Sequence, residues 1–540
     1  MTTPPNFISR TEDIKQEDIL SLYVRTPQDQ KIVEQLKSAT PIVLEGSRGT
    51  GKTFVLRVAQ AQLLESLAED RVLPVYVSFA KSSLLQSGDP NQFLHWMMSR
   101  LCSRILRALY RAGYLVNATP AIKTLTGGQI SCDWAETPLE KLAKEYEETY
   151  KRPGSAVDNS GIPQLEDFKD AIEDICRGKK IVRLAIFFDE AAHIFRPEQQ
   201  RQFFTLFRDL RSPFLTCNAA VYPGVTFYGP TFQPYHDATI FTLIRDPLNR
   251  DYLKGMTDIV MSQADSDLSA RIMRNGENFK ALAYAVSGNP RLLFKTIGIA
   301  PKLNRSEVTN ILKEFYRTDI WAEHSALADK YSGHRSLIDW GREFIENSVI
   351  PESNTKNEQW KQEEKPLSTC FFWIHRDAPA AIFEALRILS YIGIVTRLDS
   401  YSVATRGQIG TRYAVNLGCL AAPSPEPVPF LTHCGRTLSL KRFTEYGANS
   451  PWFSRLTSTV GDFQETDVSP SLDRELQKAI DVLDLTAFQK EGLRAIGLDT
   501  VGKALQASEA DFQKIDYVGP KRSRKIMNVV TASVLEYLSG

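Results

Sequence analysis

The chain has no long apolar run. Its most apolar stretches, 181–188 and 388–395, fall far short of the roughly 20 residues a bilayer-crossing helix needs. A membrane-spanning protein is not expected, and any membrane role would pass through a partner. The first seven residues are polar and hold two prolines, so they lack the core of a signal peptide and the expected location is cytoplasmic. Seven cysteines (Cys102, Cys132, Cys176, Cys217, Cys370, Cys419, Cys434) lie far apart with no C-x-x-C pair. That argues against a zinc ribbon and a disulfide framework, and for reduced, mostly buried thiols. The seven histidines are scattered, and no nuclease, protease or metal-catalytic constellation appears. His193 reads as a helix-face residue rather than a ligand. A formal net charge of +1 speaks neither for nor against nucleic acid, because a neutral total can conceal a local basic face. There is no internal repeat and no long low-complexity segment.

What is present is length and pattern. At 540 residues one hydrophobic core does not suffice, so three or four domains are expected. Up to about residue 310, short β-branched or aromatic runs alternate with longer amphipathic patterns. The runs 41–45, 72–79, 181–188 and 215–221 read as strands, and the alternation implies a parallel sheet covered on both faces. The interval 89–180 is long for one crossover, so it is expected to hold helical insertions and a mobile loop at 151–156. The polar stretch 351–359 reads as a surface loop. The proline-alternating stretch 422–429 reads as an extended linker.

Gly46, Ser47, Arg48, Gly49, Thr50, Gly51, Lys52 and Thr53 fit G-x-x-x-x-G-K-[ST] without exception. Glycines at 46, 49 and 51 let the backbone wrap a phosphate with N–H groups inward. Lys52 brings a cation to the terminal phosphates of ATP, and Thr53 offers a hydroxyl to Mg2+. The helix that follows points its positive end at the anion. Downstream, an apolar strand ends in Asp189 and Glu190, placing two carboxylates at an adjacent edge of the sheet, where open α/β sites form. Asp189 would serve magnesium or its waters, and Glu190 would deprotonate the attacking water.

The phosphate loop, the Asp-Glu strand end and Ser287-Gly-Asn-Pro-Arg-Leu-Leu293 together resemble the AAA+/STAND ATPases. The similarity is closest to the ORC–Cdc6-like initiator family and its bacterial relatives. The resemblance implies that Pro290 packs near the base and that Arg291 touches the terminal phosphate as a sensor. It also implies an arginine finger acting between subunits, with Arg208, Arg211 and Arg245 as candidates, and a polar sensor after the acids, with Asn218 or Tyr222 available. The segment before the loop resembles the one that lines base and ribose, which directs attention to Tyr23 and Arg25.

Past the core, an amphipathic helix at 378–391 and two β-type runs, 394–399 and 411–417, are joined by a loop holding Arg406. That order resembles a winged helix, whose reading helix here carries only Arg387 as a cation. Residues 512–526 resemble a helix-hairpin-helix motif. Gly519 would permit close approach, with Lys521, Arg522, Arg524 and Lys525 supplying counter-charge to a DNA phosphate. Tyr517 departs from the glycine or small residue usual in that turn. With the segment before it, the motif also resembles the C-terminal domain of the bacterial RNA polymerase α subunit.

The expected fold is an α/β P-loop parallel-sheet core at 1–250 and a helical lid at 251–325. A winged-helix-like module at 326–422, a linker at 423–470 and a small all-α hairpin domain at 471–540 follow. The expected function is an ATP-binding, slowly ATP-hydrolysing switch acting on double-stranded DNA. ATP-dependent homo-oligomers and protein partners of the C-terminal modules are part of that expectation. The competing expectation is a STAND-type signalling ATPase whose modules bind a protein trigger, as in bacterial defence.

Overall fold

The computed structural model describes residues 7–89, 91–115, 119–128, 136–191, 197–223, 228–229, 231–404, 407–461 and 476–538. Cys132, His193 and Arg406 lie outside the described residues. The chain divides into two compact units, one of residues 8–244 with 258–263, the other of 245–257 with 264 onward.

In the first unit, β1 (Ile42–Glu45), β2 (Val72–Ser78), β3 (Arg183–Asp189), β4 (Leu215–Val221) and β5 (Thr239–Thr242) form one sheet in the order β2-β3-β4-β1-β5. All its pairings are parallel. Every residue of β3 and β4 is buried, as expected of strands covered on both faces. Ile42, Leu44, Ala185 and Phe187 pack beneath the helices Pro27–Lys37 and Lys52–Glu65. Val43, Val75, Ile186 and Phe188 face the opposite core, with residues from helices Gln92–Arg111 and Leu165–Lys179. The edge strand β5 escapes a reading of pattern because it is four residues long and only partly buried. Cap chemistry sets several helix starts. Thr26, Thr119 and Thr137 each accept a backbone N–H from three residues ahead, with proline in the first helical position, where its missing N–H costs nothing.

The long interval between β2 and β3 does contain inserted helices, Pro120–Thr126 and Pro138–Glu148 among them. The 151–156 loop, however, is tied down. Gly154 N–H donates to Gln86 O at 2.7 Å and Gly88 N–H to Ser155 O at 3.1 Å.

From residue 264 the second unit continues with helices Ser266–Arg274, Gly276–Ala285, Pro290–Ile299 and Arg305–Glu314. It carries a second sheet of β6 (Phe371–His375), β7 (Val395–Val403), β8 (Ile409–Val415) and β9 (Thr444–Tyr446), ordered β7-β8-β6-β9. Two boundary expectations are corrected here. The 351–359 stretch is not a loop but part of helix Ile350–Gln362. Its inner face carries Ser353, Asn357 and Trp360 into the core, and Asn357 exchanges two hydrogen bonds with the backbone of Thr369. Nor is the described part of the expected 423–470 linker, residues 423–461, an extended connection. Pro427 and Pro429 sit in the first turn of helix Pro427–Thr437, where proline is tolerated, and that helix packs on Gly276–Ala285. β9 then extends the second sheet, and Trp340 Nε1 donates to Trp452 O at 3.0 Å. Residues 462–475 lie outside the described residues.

Gly435 marks that seam. A Cβ there would lie 2.3 Å from the Tyr284 ring, closer than any real contact, so the helices meet only because the side chain is absent. Gly435→Ala should cost about 1–3 kcal/mol by overpacking, read as a lower midpoint in thermal unfolding. A true linker residue would leave the midpoint unmoved.

Candidate nucleotide site and basic hairpin

β1 ends at Glu45, and the chain turns through 46–51 into helix Lys52–Glu65. Gly49 and Gly51 hold φ of 87° and 99°, a left-handed backbone that other L-residues adopt only at a cost. A Cβ on Gly46 would sit 2.7 Å from Thr50 Oγ1 and 3.3 Å from Lys52 Cγ, so the loop closes tightly on itself. Thr50 Oγ1 donates to Ser47 O at 2.9 Å. The Lys52 ammonium donates to Gly46 O at 2.5 Å and to Ser47 O at 3.1 Å, and lies 4.3 Å from the centre of the Tyr222 ring. Lys52 is thereby a buried cation held at the mouth of the loop. Thr53 follows in the first helical turn. A tight turn of left-handed glycines beside a buried ammonium fits an anion of phosphate type.

The acids end β3. Asp189 is buried; its Oδ1 accepts from Glu190 N–H at 3.0 Å and its Oδ2 from Tyr76 Oη at 2.5 Å. Burial, then the Asp189 charge, push the Tyr76 phenol far above its ordinary pKa, so it stays a donor. Glu190 has a φ of 50°, a strained conformation for a non-glycine residue and one found often at functional sites. Although Glu190 as a whole is exposed, desolvation by crowding raises its carboxyl pKa, helped by Asp189 and Glu12 and opposed by Arg48 and Lys52. Loop and acids therefore act on one another.

They are not on neighbouring strands. β4 lies between β1 and β3, with Val221 level with Glu45 and Ala219 level with Phe188. At about 4.8 Å per step, the two strand ends stand about 10 Å apart, which leaves room for phosphates and a metal between them. Of the polar candidates on β4, Asn218 is deep in the sheet, donating to Leu36 O at 3.2 Å. Tyr222, just past the strand end, meets Lys52 instead. Tyr23 and Arg25 line a separate hollow of about 270 Å³ with Gln62 and Glu65, at the far end of the phosphate-loop helix. From the N-terminal segment, Glu12 is the residue that reaches the acids electrostatically, and nothing in its sequence context marked it. Arg208 is engaged by Thr231 O and Asp209, while Arg211 is exposed.

Pro290 and Arg291 belong to the second unit, where Asn289 caps their helix. The turn before them is tight. Ser287 and Gly288 are both left-handed, and a Cβ on Gly288 would lie 2.1 Å from Arg245 O. In the same unit, helix Ala380–Ile392 offers no exposed cation from Arg387. That side chain is buried and its Nε donates to Glu384 Oε2 at 2.8 Å. Against the upward push of burial, Arg387 holds the Glu384 carboxyl below its usual range. The helix is packed on Arg335–Phe344 and Pro520–Leu538, which leaves it poorly placed to enter a DNA groove.

The hairpin is formed by helices Glu509–Phe512 and Pro520–Leu538. Between them Tyr517 takes φ 60° and is 84% exposed; its left-handed backbone explains why a glycine is usual there. Arg522 Nη1 donates to Tyr517 O at 2.8 Å, and Gly519 faces open space. Lys521, Arg522 and Lys525 are exposed. Arg524 is turned inward, bonding Glu509, Asp377 O and Ala448 O, so its charge is used within the protein. Tyr517→Gly should stabilise the chain by about 1 kcal/mol through relief of left-handed strain, seen as a raised thermal midpoint; a fall would show that the turn needs the ring.

Residues 5–232 match the ORC-CDC6-like family model. No curated protein matches the chain. Among solved structures, the Aeropyrum pernix ORC1 protein in complex with DNA is 14% identical, covering 77% of this chain and 94% of its own, with a TM-score of 0.30. The loop and both acids fall inside the matched span. Over residues 5–232, then, this chain is similar to the ORC-CDC6-like family.

Proposed function

We propose that this protein binds and hydrolyses ATP with magnesium and uses that cycle as a switch on double-stranded DNA. The observation that carries the reading is the facing of two chemistries. A buried ammonium stands in a glycine-formed cradle, and across one intervening strand stands a carboxylate whose pKa that ammonium helps to set. Main-chain N–H groups of 46–53 and Lys52 would grip the phosphates, and Thr53 and Asp189 would hold the metal. Bound magnesium would neutralise charge on the phosphate oxygens. Glu190, made more basic than an ordinary glutamate by its surroundings, is suited to take a proton from water. Pro290 and Arg291 remain proposed contacts to base and terminal phosphate.

For DNA, support comes from the hairpin alone. Open backbone at Gly519 and exposed Lys521, Arg522 and Lys525 fit a phosphate backbone without sequence preference. Arg387, buried against Glu384, and Arg524, turned inward, are not counted among the cations of this reading.

Glu190→Gln should bind ATP as the wild type does while turnover falls about 10²–10⁴-fold; wild-type turnover would remove the base assignment. Duplex DNA should raise ATP turnover, the effect should weaken steeply with salt, and Lys521→Glu/Arg522→Glu should abolish it. If turnover ignores DNA and the chain is not retained on a DNA column at low salt, the DNA reading fails and the signalling reading takes its place.

A further inference from the structure

The carboxylate of Asp189 is held from both sides. Glu190 N–H reaches one oxygen at 3.0 Å and the Tyr76 phenol reaches the other at 2.5 Å. One donor per oxygen fixes the plane of the group and still leaves each oxygen further lone-pair capacity. Tyr76 reaches it from β2. It is level with Phe187 in the parallel register, and both side chains belong to the core beneath helix Lys52–Glu65. Two residues after Phe187, Asp189 faces the same side of the sheet by the period of a strand.

The phenol is itself clamped. Arg57, five residues beyond Lys52 on the phosphate-loop helix, lays its guanidinium carbon 3.8 Å from the Tyr76 ring centre. Arg57 is held by Gln60 at 3.0 Å and Gln16 at 3.3 Å. Helix, ring and acid thus form a continuous line from the loop that holds phosphate to the strand that ends in carboxylates. A tyrosine that only filled this space would waste its hydroxyl, because phenylalanine fills it as well without burying a polar group.

We propose that Tyr76 is a positioning residue, orienting the Asp189 carboxylate for a divalent cation, with Arg57 clamping its ring. The inference rests on the nucleotide reading above. Metal ligands are commonly aimed by such outer partners, and losing one typically weakens metal binding about 10–100-fold.

The test uses the full chain loaded with ADP and titrated with Mn2+, free metal being followed by electron paramagnetic resonance. Tyr76→Phe should bind Mn2+ about tenfold more weakly, while ADP affinity in EDTA stays at the wild-type value. Arg57→Met, which leaves the hydroxyl in place but frees the ring, should give a smaller loss of the same sign. Wild-type Mn2+ affinity in Tyr76→Phe overturns the proposal. Should thermal unfolding show that Tyr76→Phe does not fold, Arg57→Met decides alone, and unchanged Mn2+ binding in it overturns the proposal equally. A wild-type chain that takes up no ADP would instead defeat the nucleotide reading, an outcome the Mn2+ titration cannot imitate.

Discussion

The order of five parallel strands is the constraint from which the chemistry follows. A glycine loop at the end of β1 and two acids at the end of β3 would crowd one another on neighbouring strands and would never meet at opposite edges. One strand between them sets a gap of about 10 Å. Within it, Lys52 and Arg48 lower the basicity of Glu190 while Asp189, Glu12 and loss of solvent raise it. The sheet can impose this because β3 and β4 are buried on both faces and have no freedom to slide; a one-residue slip would turn every apolar side chain to the wrong face.

Charge is divided in the rest of the chain according to burial. Arg387 and Arg524 are spent on carboxylates and carbonyls inside the second unit. There an unpaired guanidinium would be costly, and each pairing specifies a contact as much as it stabilises one. Lys521, Arg522 and Lys525 remain on the surface, where solvent screens them and only a dense anion such as a nucleic-acid backbone gives them much energy.

Much of the core was legible in the residues because its signals are local. Glycines that must be left-handed, a lysine that must follow them, and an apolar run ending in acids all declare themselves within a few positions. What escaped was set by distant packing. The prolines at 427 and 429 suggest an extended chain until the helix that covers them is known, since the first turn of a helix accepts the same residues. The polar run 351–359 hid a helix because its buried face includes Ser353 and Asn357, polar residues that no apolar period marks, and Asn357 is satisfied by the backbone of Thr369 beyond the helix end. β5 was too short to show a period. The partnership of Tyr76 with Asp189 spans 113 positions, and no spacing rule connects them.

The docking of the C-terminal hairpin has a mechanical side. Asn528 Oδ1 accepts Ala380 N–H at 3.0 Å at the start of helix Ala380–Ile392. Arg524 grips two backbone carbonyls of the neighbouring module. On the other flank of that module, helix Pro427–Thr437 is seated on Gly276–Ala285. Three separately encoded pieces are thereby joined within the second unit. Displacing any one of them would have to break those contacts or carry its neighbours along, so the three are coupled by hydrogen bonds and packing rather than by chain connection alone.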